Sequence, residues 1–394
     1  MHPAIAVPIY AGLTIINGAM TEFCVRHWPF TANAARKIRP FWLIPHLLIS
    51  LAPVAGAFLD NSHMRFALMG VGNIYLGYFL YYGITLALLM LFAGLATLIT
   101  SRRFSSLYGI ILCLSLVCGF TTATYGMFHA QEIQVRRYDI AVDKPGKDMT
   151  VVFVADLHLS VNSELSTTVK MVDLINRENP DLVLVGGDIF TSSYEALFDP
   201  QYYSSALSNI RSRLGVYGVY GNHDVDEPLL GGFPMAPLSE AFRTPRMEQF
   251  MKDSGFTMLS DETVLIDGFL QLIGRVDGEK AGDGTNNRMS AAELLKGIDR
   301  AKPVLVLEHE PREYRKLKEA GADVVLSGHT HNGQVFPGNL IVPLFNENGW
   351  GYKVVDGLQT LVTAGIGYYG PPIRVGTDSE ISVIRLTFQQ ESGT

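Results

Sequence analysis

The chain has 394 residues, with Lys+Arg 31 against Asp+Glu 38, for a formal net charge of −7. That total hides a split: residues 1–128 hold seven basic residues (Arg26, Arg36, Lys37, Arg39, Arg65, Arg102, Arg103) and two acidic ones (Glu22, Asp60), leaving 24 and 36 for residues 129–394, a net of +5 against −12. So few charges in the first part, against roughly one residue in four for soluble domains, exclude a wholly soluble protein, a disordered chain and a disulfide scaffold, and the acidic part disfavours nucleic acid as a partner.

Four apolar stretches come first, at about 4–21, 41–59, 66–99 and 106–126. Each reaches or approaches the roughly 20 residues that cross a hydrocarbon core of about 30 Å. They predict an all-α transmembrane domain of about four helices over 1–128, the third long enough to tilt or protrude. The start, Met1-His2-Pro3, lacks a basic n-region, and no small-x-small cleavage site follows, so no cleavable signal peptide is expected. The connection at 22–40 carries four basic residues, that at 60–65 one, and that at 101–105 two. Six against one places the first and third connections in the cytoplasm and, with four spans, the C-terminal domain on the outer face. Within the spans, His46 with Tyr75, Tyr78, Tyr81 and Tyr82 reads as an interfacial aromatic belt, and Gly70, Gly72, Gly77 and Gly83 as sites of close helix packing. All three cysteines (Cys24, Cys113, Cys118) lie in this part, so neither a disulfide framework nor a thiolate zinc site is expected.

Residues 129–148 read as a polar linker. From 149 to 394 short apolar runs alternate with helical patterns, an α/β alternation. Five runs end in clusters of His, Asp or Asn: Val151–Ala155 before Asp156 and His158, Leu182–Val185 before Asp188, Val216–Tyr220 before Asn222, His223 and Asp224, Val304–Leu307 before His309, and Val324–Leu326 before His329 and His331. Ligands at the C-terminal ends of strands are where open α/β sheets build their sites. Of ten histidines, the five after residue 129 all sit in these motifs, which scattered structural histidines would not do. The donors are carboxylates, imidazoles and one amide, with no thiolate. That suits two adjacent divalent ions such as Mn, Fe or Zn, bridged by a carboxylate, between which a hydroxide is a nucleophile at neutral pH.

The ordered blocks Asp156-Leu157-His158, Gly187-Asp188, Gly221-Asn222-His223-Asp224, His309 two residues before Pro311, and Gly328-His329-Thr330-His331 resemble the calcineurin-like metallophosphoesterase superfamily over about 150–388. The tail, Gly328 to Gln334, Gly365-Ile366-Gly367 and Pro372-Ile373-Arg374, is similar to a membrane-attached bacterial branch, departing from it at Ser160, Asn332 and Ser379. The resemblance implies a four-layer α/β/β/α sandwich and a metal-dependent phosphoesterase attached to a bacterial membrane; with the loop charges above, that is the inner membrane with the domain on the periplasmic side. It makes Asp156, His158, Asp188 and His331 ligands of one ion, and Asp188, Asn222, His309 and His329 ligands of the other. His223 resembles the non-ligand histidine that supports charge or protonates the leaving oxygen, with Asp224 orienting it. Thr191 stands where the purple acid phosphatase branch has a tyrosine ligand, so that branch is not expected.

Two apolar loops flank these motifs: Leu229, Leu230, Phe233 and Met235 after the Asn222 block, and Phe336 to Phe345 after His331. Between them Thr244-Pro245 opens an expected helix that Gly255 closes. The loops, on a domain tethered to a bilayer, suggest a lipid-linked phosphate substrate, with soluble phosphodiesters or phosphoproteins as the alternative. Arg374 is a candidate phosphate contact. A non-catalytic metal-stabilised receptor would not need His223, and transport is disfavoured by the scarcity of charge in the spans.

Overall fold

The computed structural model describes residues 3–57, 59, 62–101, 106–227, 229–230, 233–234 and 237–390. The chain divides into two compact units, a helical one formed by residues up to His129 with Leu229–Met235 and Gly370–Ile373, and an α/β one formed by the remainder.

In the helical unit, α1 spans Pro3–His27, α2 Ala35–Ser50, α3 Ala52–Ala57, α4 Ser62–Thr100 and α5 Leu107–His129. The second expected span is therefore not continuous: the chain breaks at Leu51, and α2 carries Pro40 and Pro45, each of which removes a backbone donor from the helix. Among the described residues, α4 and α5 are the helices long and apolar enough to cross a membrane. They pack closely, since a Cβ on Gly119 of α5 would stand 2.7 Å from the backbone of Tyr82 in α4. Glu22, near the end of α1, accepts from Arg26 at 2.7 Å and from Arg39 at 3.1 Å, so its charge is paired. Leu229–Leu230 (β5) and Phe233–Pro234 (β6) form a two-stranded ribbon. The side chains of Leu229, Leu230, Phe233 and Met235 lie outside the described residues.

The α/β unit holds the other twelve strands: β1 (Ile133–Pro145), β2 (Met149–Val154), β3 (Leu182–Gly186), β4 (Val216–Val219), β7 (Thr257–Met258), β8 (Glu262–Ile266), β9 (Leu270–Gly274), β10 (Val304–Leu307), β11 (Val324–Ser327), β12 (Gly351–Val355), β13 (Leu358–Val362) and β14 (Ser379–Gln389). They form two six-stranded sheets, in the order β1-β14-β2-β3-β4-β7 and β12-β13-β11-β10-β9-β8. Strands β2, β3 and β4 run parallel, as do β9, β10, β11 and β13. Their near-continuous apolar sequences follow from burial on both faces. Phe153, Leu184, Leu272, Leu307 and Leu326 close the space between the sheets. Outside them lie helices α6 (Leu165–Arg177), α7 (Pro200–Leu207) and α8 (Pro245–Asp253) on the first sheet and α9 (Ala291–Leu294) and α10 (Tyr314–Ala320) on the second. This is the expected four-layer α/β/β/α sandwich. Helix α8 starts as expected, with Thr244 accepting from the Met247 N–H, and Gly255 follows its end at φ +76°.

Residues 129–148 are not a linker. Most of that segment is β1, paired in parallel with β14 from Ile133↔Ser379 onward. Ile140 and Val142 are buried on one face with exposed Ala141 and Asp143 between and after them, and Ile133 is buried on the opposite face, so the apolar positions are diluted by polar ones along the strand. The second apolar loop is also ordered: Gly338–Phe345 is a helix, α11, with no buried residue.

Candidate metal centre

Each expected ligand follows a strand in the parallel part of a sheet. Asp156 and His158 follow β2, Asp188 follows β3, Asn222 follows β4, His309 follows β10, and His329 and His331 follow β11. Leaving a strand and turning a short side chain inward at once forces unusual backbone, and Asp156 (φ 53°), His158 (45°), Asp188 (51°), His329 (71°) and His331 (51°) all occupy the left-handed region. Such strain gathers where surrounding structure over-determines a site. Gly328 is required by close approach, because a Cβ there would collide with the Asp156 carboxylate.

The side chains gather into two groups, Asp156 with His158 and His331, and Asp188 with His309 and His329. In the first, His158 Nε2 stands 2.9 Å from His331 Nε2, and His331 Nε2 3.5 Å from Asp156 Oδ1. In the second, His309 Nε2 is 3.1 Å from both Asp188 Oδ2 and Asn222 Oδ1, and His329 Nδ1 is 3.2 Å from Asn222 Oδ1. Asp188 Oδ2 also lies 3.6 Å from His158 Nε2, so this one oxygen faces both groups. Donors about 2.1 Å from a common ion stand roughly 3.0–3.4 Å from one another; the second group's 3.1–3.2 Å lies within that range and the first group's 2.9 and 3.5 Å just outside it.

The electrostatics also call for cations. Burial, reinforced by the nearby Asp188 charge, pushes the Asp156 carboxyl up to about 7. Burial pushes His158 down to about 4, and burial with His309 does the same to His329. His309 moves the other way, because the Asp188 carboxylate outweighs the cost of burying its charge. Among the described residues, buried His158 Nδ1 and His223 Nδ1 find no hydrogen-bond partner. Nitrogen and oxygen donors so arranged fit divalent ions.

Around the ligands the structure departs from expectation at Asp224 and Arg374. Asp224 does not orient His223: its two oxygens accept from the Phe190 N–H at 2.9 Å and the Gly221 N–H at 2.8 Å, clamping the turns that carry Asp188 and Asn222. The carboxylate facing His223 is Glu227, whose Oε1 lies 3.9 Å from His223 Nδ1 and pairs with Lys280. Tyr369 covers the other side of the imidazole, with ring centroids 4.5 Å apart. Nor is Arg374 free for phosphate. It is fully buried, donating to the carbonyls of Ala364 (2.8 Å) and Asp378 (2.9 Å), with Nη2 3.4 Å from His331 Nδ1. It braces the loop behind His331. Thr191 donates to the His158 carbonyl at 3.0 Å. A second buried network, also not expected, joins Arg275 at the end of β9 to Glu308 at 3.0 Å and Glu313 at 2.7 Å, fixing the turn that presents His309. Beside His329 opens a cavity of about 580 Å³, bordered by Arg312, Thr330, Val342 and Phe345.

The model of the calcineurin-like phosphoesterase family matches residues 149–333. This chain carries a calcineurin-like phosphoesterase domain. Relatives agree with that assignment. An uncharacterized metallophosphoesterase of Helicobacter pylori (strain ATCC 700392 / 26695) is 31% identical over 258 residues, which is 64% of this chain and 64% of that protein. A transmembrane protein with metallophosphoesterase domain from Danio rerio is 30% identical over 69% of this chain and 62% of its own length. The phosphodiesterase YaeI of Escherichia coli (strain K12) is 29% identical over 58% of this chain and 76% of its own length. The matched part of the chain spans under two thirds of the first two of these relatives. Family and donor set together indicate divalent metal ions at the calcineurin-like centre.

Proposed function

We propose that the protein is a membrane-anchored phosphohydrolase that uses two divalent ions to cleave phosphoester or pyrophosphate bonds of a lipid or lipid-linked substrate. The observation that carries this reading is the single Asp188 oxygen facing both ligand groups, 3.1 Å from His309 and 3.6 Å from His158. Bound divalent ions would be Mn, Fe or Zn, and would supply Lewis acidity and water activation at neutral pH. The chain's residues do the rest. Asp156, His158, Asn222, His309, His329 and His331 would hold the ions, with Asp188 shared between the two groups. Hydrolysis makes one P–O bond to water and breaks another to the leaving group. His223 donates from its imidazole toward the phosphoryl or leaving oxygen, steadied by Glu227 and Tyr369.

The lipid part of the reading rests on α11. Its Leu344 and Phe345 are 76% and 81% exposed, and Phe345 also borders the cavity beside His329. Apolar side chains left in water at the mouth of a phosphate site suit a substrate with an apolar tail. Membrane anchoring is supported by α4 and α5 and by relatives whose names describe transmembrane proteins.

The test uses full-length protein in detergent, stripped of metal and reloaded with Mn or Zn. Hydrolysis of bis(p-nitrophenyl) phosphate should require the metal and be abolished by Asp188→Asn and His329→Ala, with bound metal falling in both. Metal-independent turnover, or turnover unchanged in the variants, overturns the reading. Cleavage of the soluble diester with no release of phosphate or headgroup from a lipid extract would retain the hydrolase and remove the lipid.

A further inference from the structure

The motif block Gly328 to Gln334 supplies His329 and His331 to the metal centre, and its last residue, Gln334, has no part in the chemistry described so far. Gln334 is 8% exposed and stands at φ 53° and ψ −50°, a backbone conformation that is costly for any residue but glycine. Such a conformation persists where the surroundings over-determine it. Both backbone groups of Gln334 are bonded: its N–H donates to the His331 carbonyl at 2.9 Å, and its carbonyl accepts from the Thr377 hydroxyl at 2.7 Å and the Val375 N–H at 3.2 Å.

The side-chain amide commits both its polar atoms to one residue. Nε2 donates to the Tyr369 carbonyl at 3.0 Å, and Oε1 accepts from the Tyr369 N–H at 2.8 Å. Two opposed bonds from one planar group fix the tilt of the Tyr369 backbone as well as its position. Glutamine suits this task, because glutamate has no donor for the carbonyl and asparagine is one methylene shorter. The chain leading to Tyr369 is pinned separately, by the Gly367 N–H on the Asp156 carbonyl and the Tyr368 hydroxyl on the Asn162 carbonyl, both at 2.7 Å.

What Tyr369 does with a fixed backbone is to hold its ring against two histidines. Its centroid lies 4.5 Å from that of His223, with the planes 34° apart, and 5.5 Å from that of His158. With Glu227 facing Nδ1, the His223 imidazole cannot turn unless the tyrosine ring gives way. A reacting group misplaced by about 1 Å can cost roughly 100-fold in rate, so the seating of this ring matters to the reaction.

We propose that Gln334 is a positioning residue for His223 and acts through Tyr369. Its amide locks the tyrosine, and the tyrosine ring locks the imidazole. The proposal rests on the reading of His223 as the group that donates to the phosphoryl or leaving oxygen.

The test is a double-mutant cycle on full-length protein in detergent, loaded with Mn and assayed on bis(p-nitrophenyl) phosphate. Gln334→Met keeps the side-chain volume and removes both bonds. It should lower kcat about 10–100-fold, with KM within twofold and bound manganese unchanged. Tyr369→Ala should reproduce that loss, and adding Gln334→Met to it should cost no more than twofold further. Placed on His223→Ala, Gln334→Met should likewise cost no more than twofold, because the imidazole it orients is gone. If Gln334→Met does not fold, Gln334→Glu, which keeps the acceptor and loses the donor, takes its place in the cycle. An equal loss with and without His223, or a loss that tracks missing manganese, would show a structural role or one exerted on His331, and overturns the proposal. Undiminished turnover by His223→Ala would overturn the reading of His223 itself, and the proposal with it.

Discussion

His223 is the one histidine of the phosphoesterase motifs outside both ligand groups, and its neighbours explain how it can act. Glu227 faces its Nδ1 and Tyr369 packs on its ring, so the imidazole has a fixed direction. His223→Ala should lower kcat by roughly 10²–10⁴-fold with metal content unchanged, measured by mass spectrometry of the purified protein. Glu227→Gln should cost roughly 10–100-fold in kcat with KM little changed, since it acts through His223. A stability prediction belongs to Glu313. Burial alone would raise its carboxyl, but hydrogen bonds from Lys316 and Arg275 outweigh it and hold it at about 2, below the usual 4.5. A group depressed on folding stabilises above its unfolded value and loses that contribution as pH falls through the folded one. Glu313→Gln should therefore melt lower than wild type at pH 7, with the difference closing between about pH 4.5 and 2 in thermal scans. The ligands were legible in the sequence because each sits directly after an apolar strand run. Glu227 and Tyr369 were not, since what makes them matter is proximity to His223 and no local pattern announces it. Arg374 misled for a related reason: a basic residue near a phosphate motif looks functional until its burial is known.

At the scale of elements, the parallel strands follow from their unbroken apolar runs, and α8 from its Thr-Pro start and glycine stop. The edge strand β1 did not, because its partner β14 lies at the other end of the chain and long-range pairing leaves only a weak alternation behind. Helix α11 is an apolar element of the α/β unit left without cover. Leu340, Ile341, Leu344 and Phe345 are all exposed on it, an arrangement that water penalises unless something apolar covers them. If that cover is the tail of a bilayer substrate, Leu344→Asp with Phe345→Asp should cut hydrolysis of vesicle-borne lipid at least tenfold while leaving bis(p-nitrophenyl) phosphate turnover within twofold. An equal loss on both substrates would show that α11 supports the metal centre instead.

For the whole molecule, the charge of the connections predicts which side of the membrane the phosphoesterase domain occupies. The basic residues fall six to one in favour of a cytoplasmic location for the first and third connections. Protease added to intact spheroplasts should therefore digest residues 150–394; digestion only after lysis would reverse the orientation. The sheet order carries a further consequence, for how such a domain comes to be made. β14 lies between β1 and β2, parallel to one and antiparallel to the other. The first two strands of the domain thus have no direct ladder between them and must wait for the last strand before their sheet can close. Non-local closure of this kind is slow. A ribosome will have finished nearly the entire domain before it can lock, so the chain stays loose and threadable while it is being made, the state that the proposed anchoring and outer-face location would require of a domain passed across a membrane.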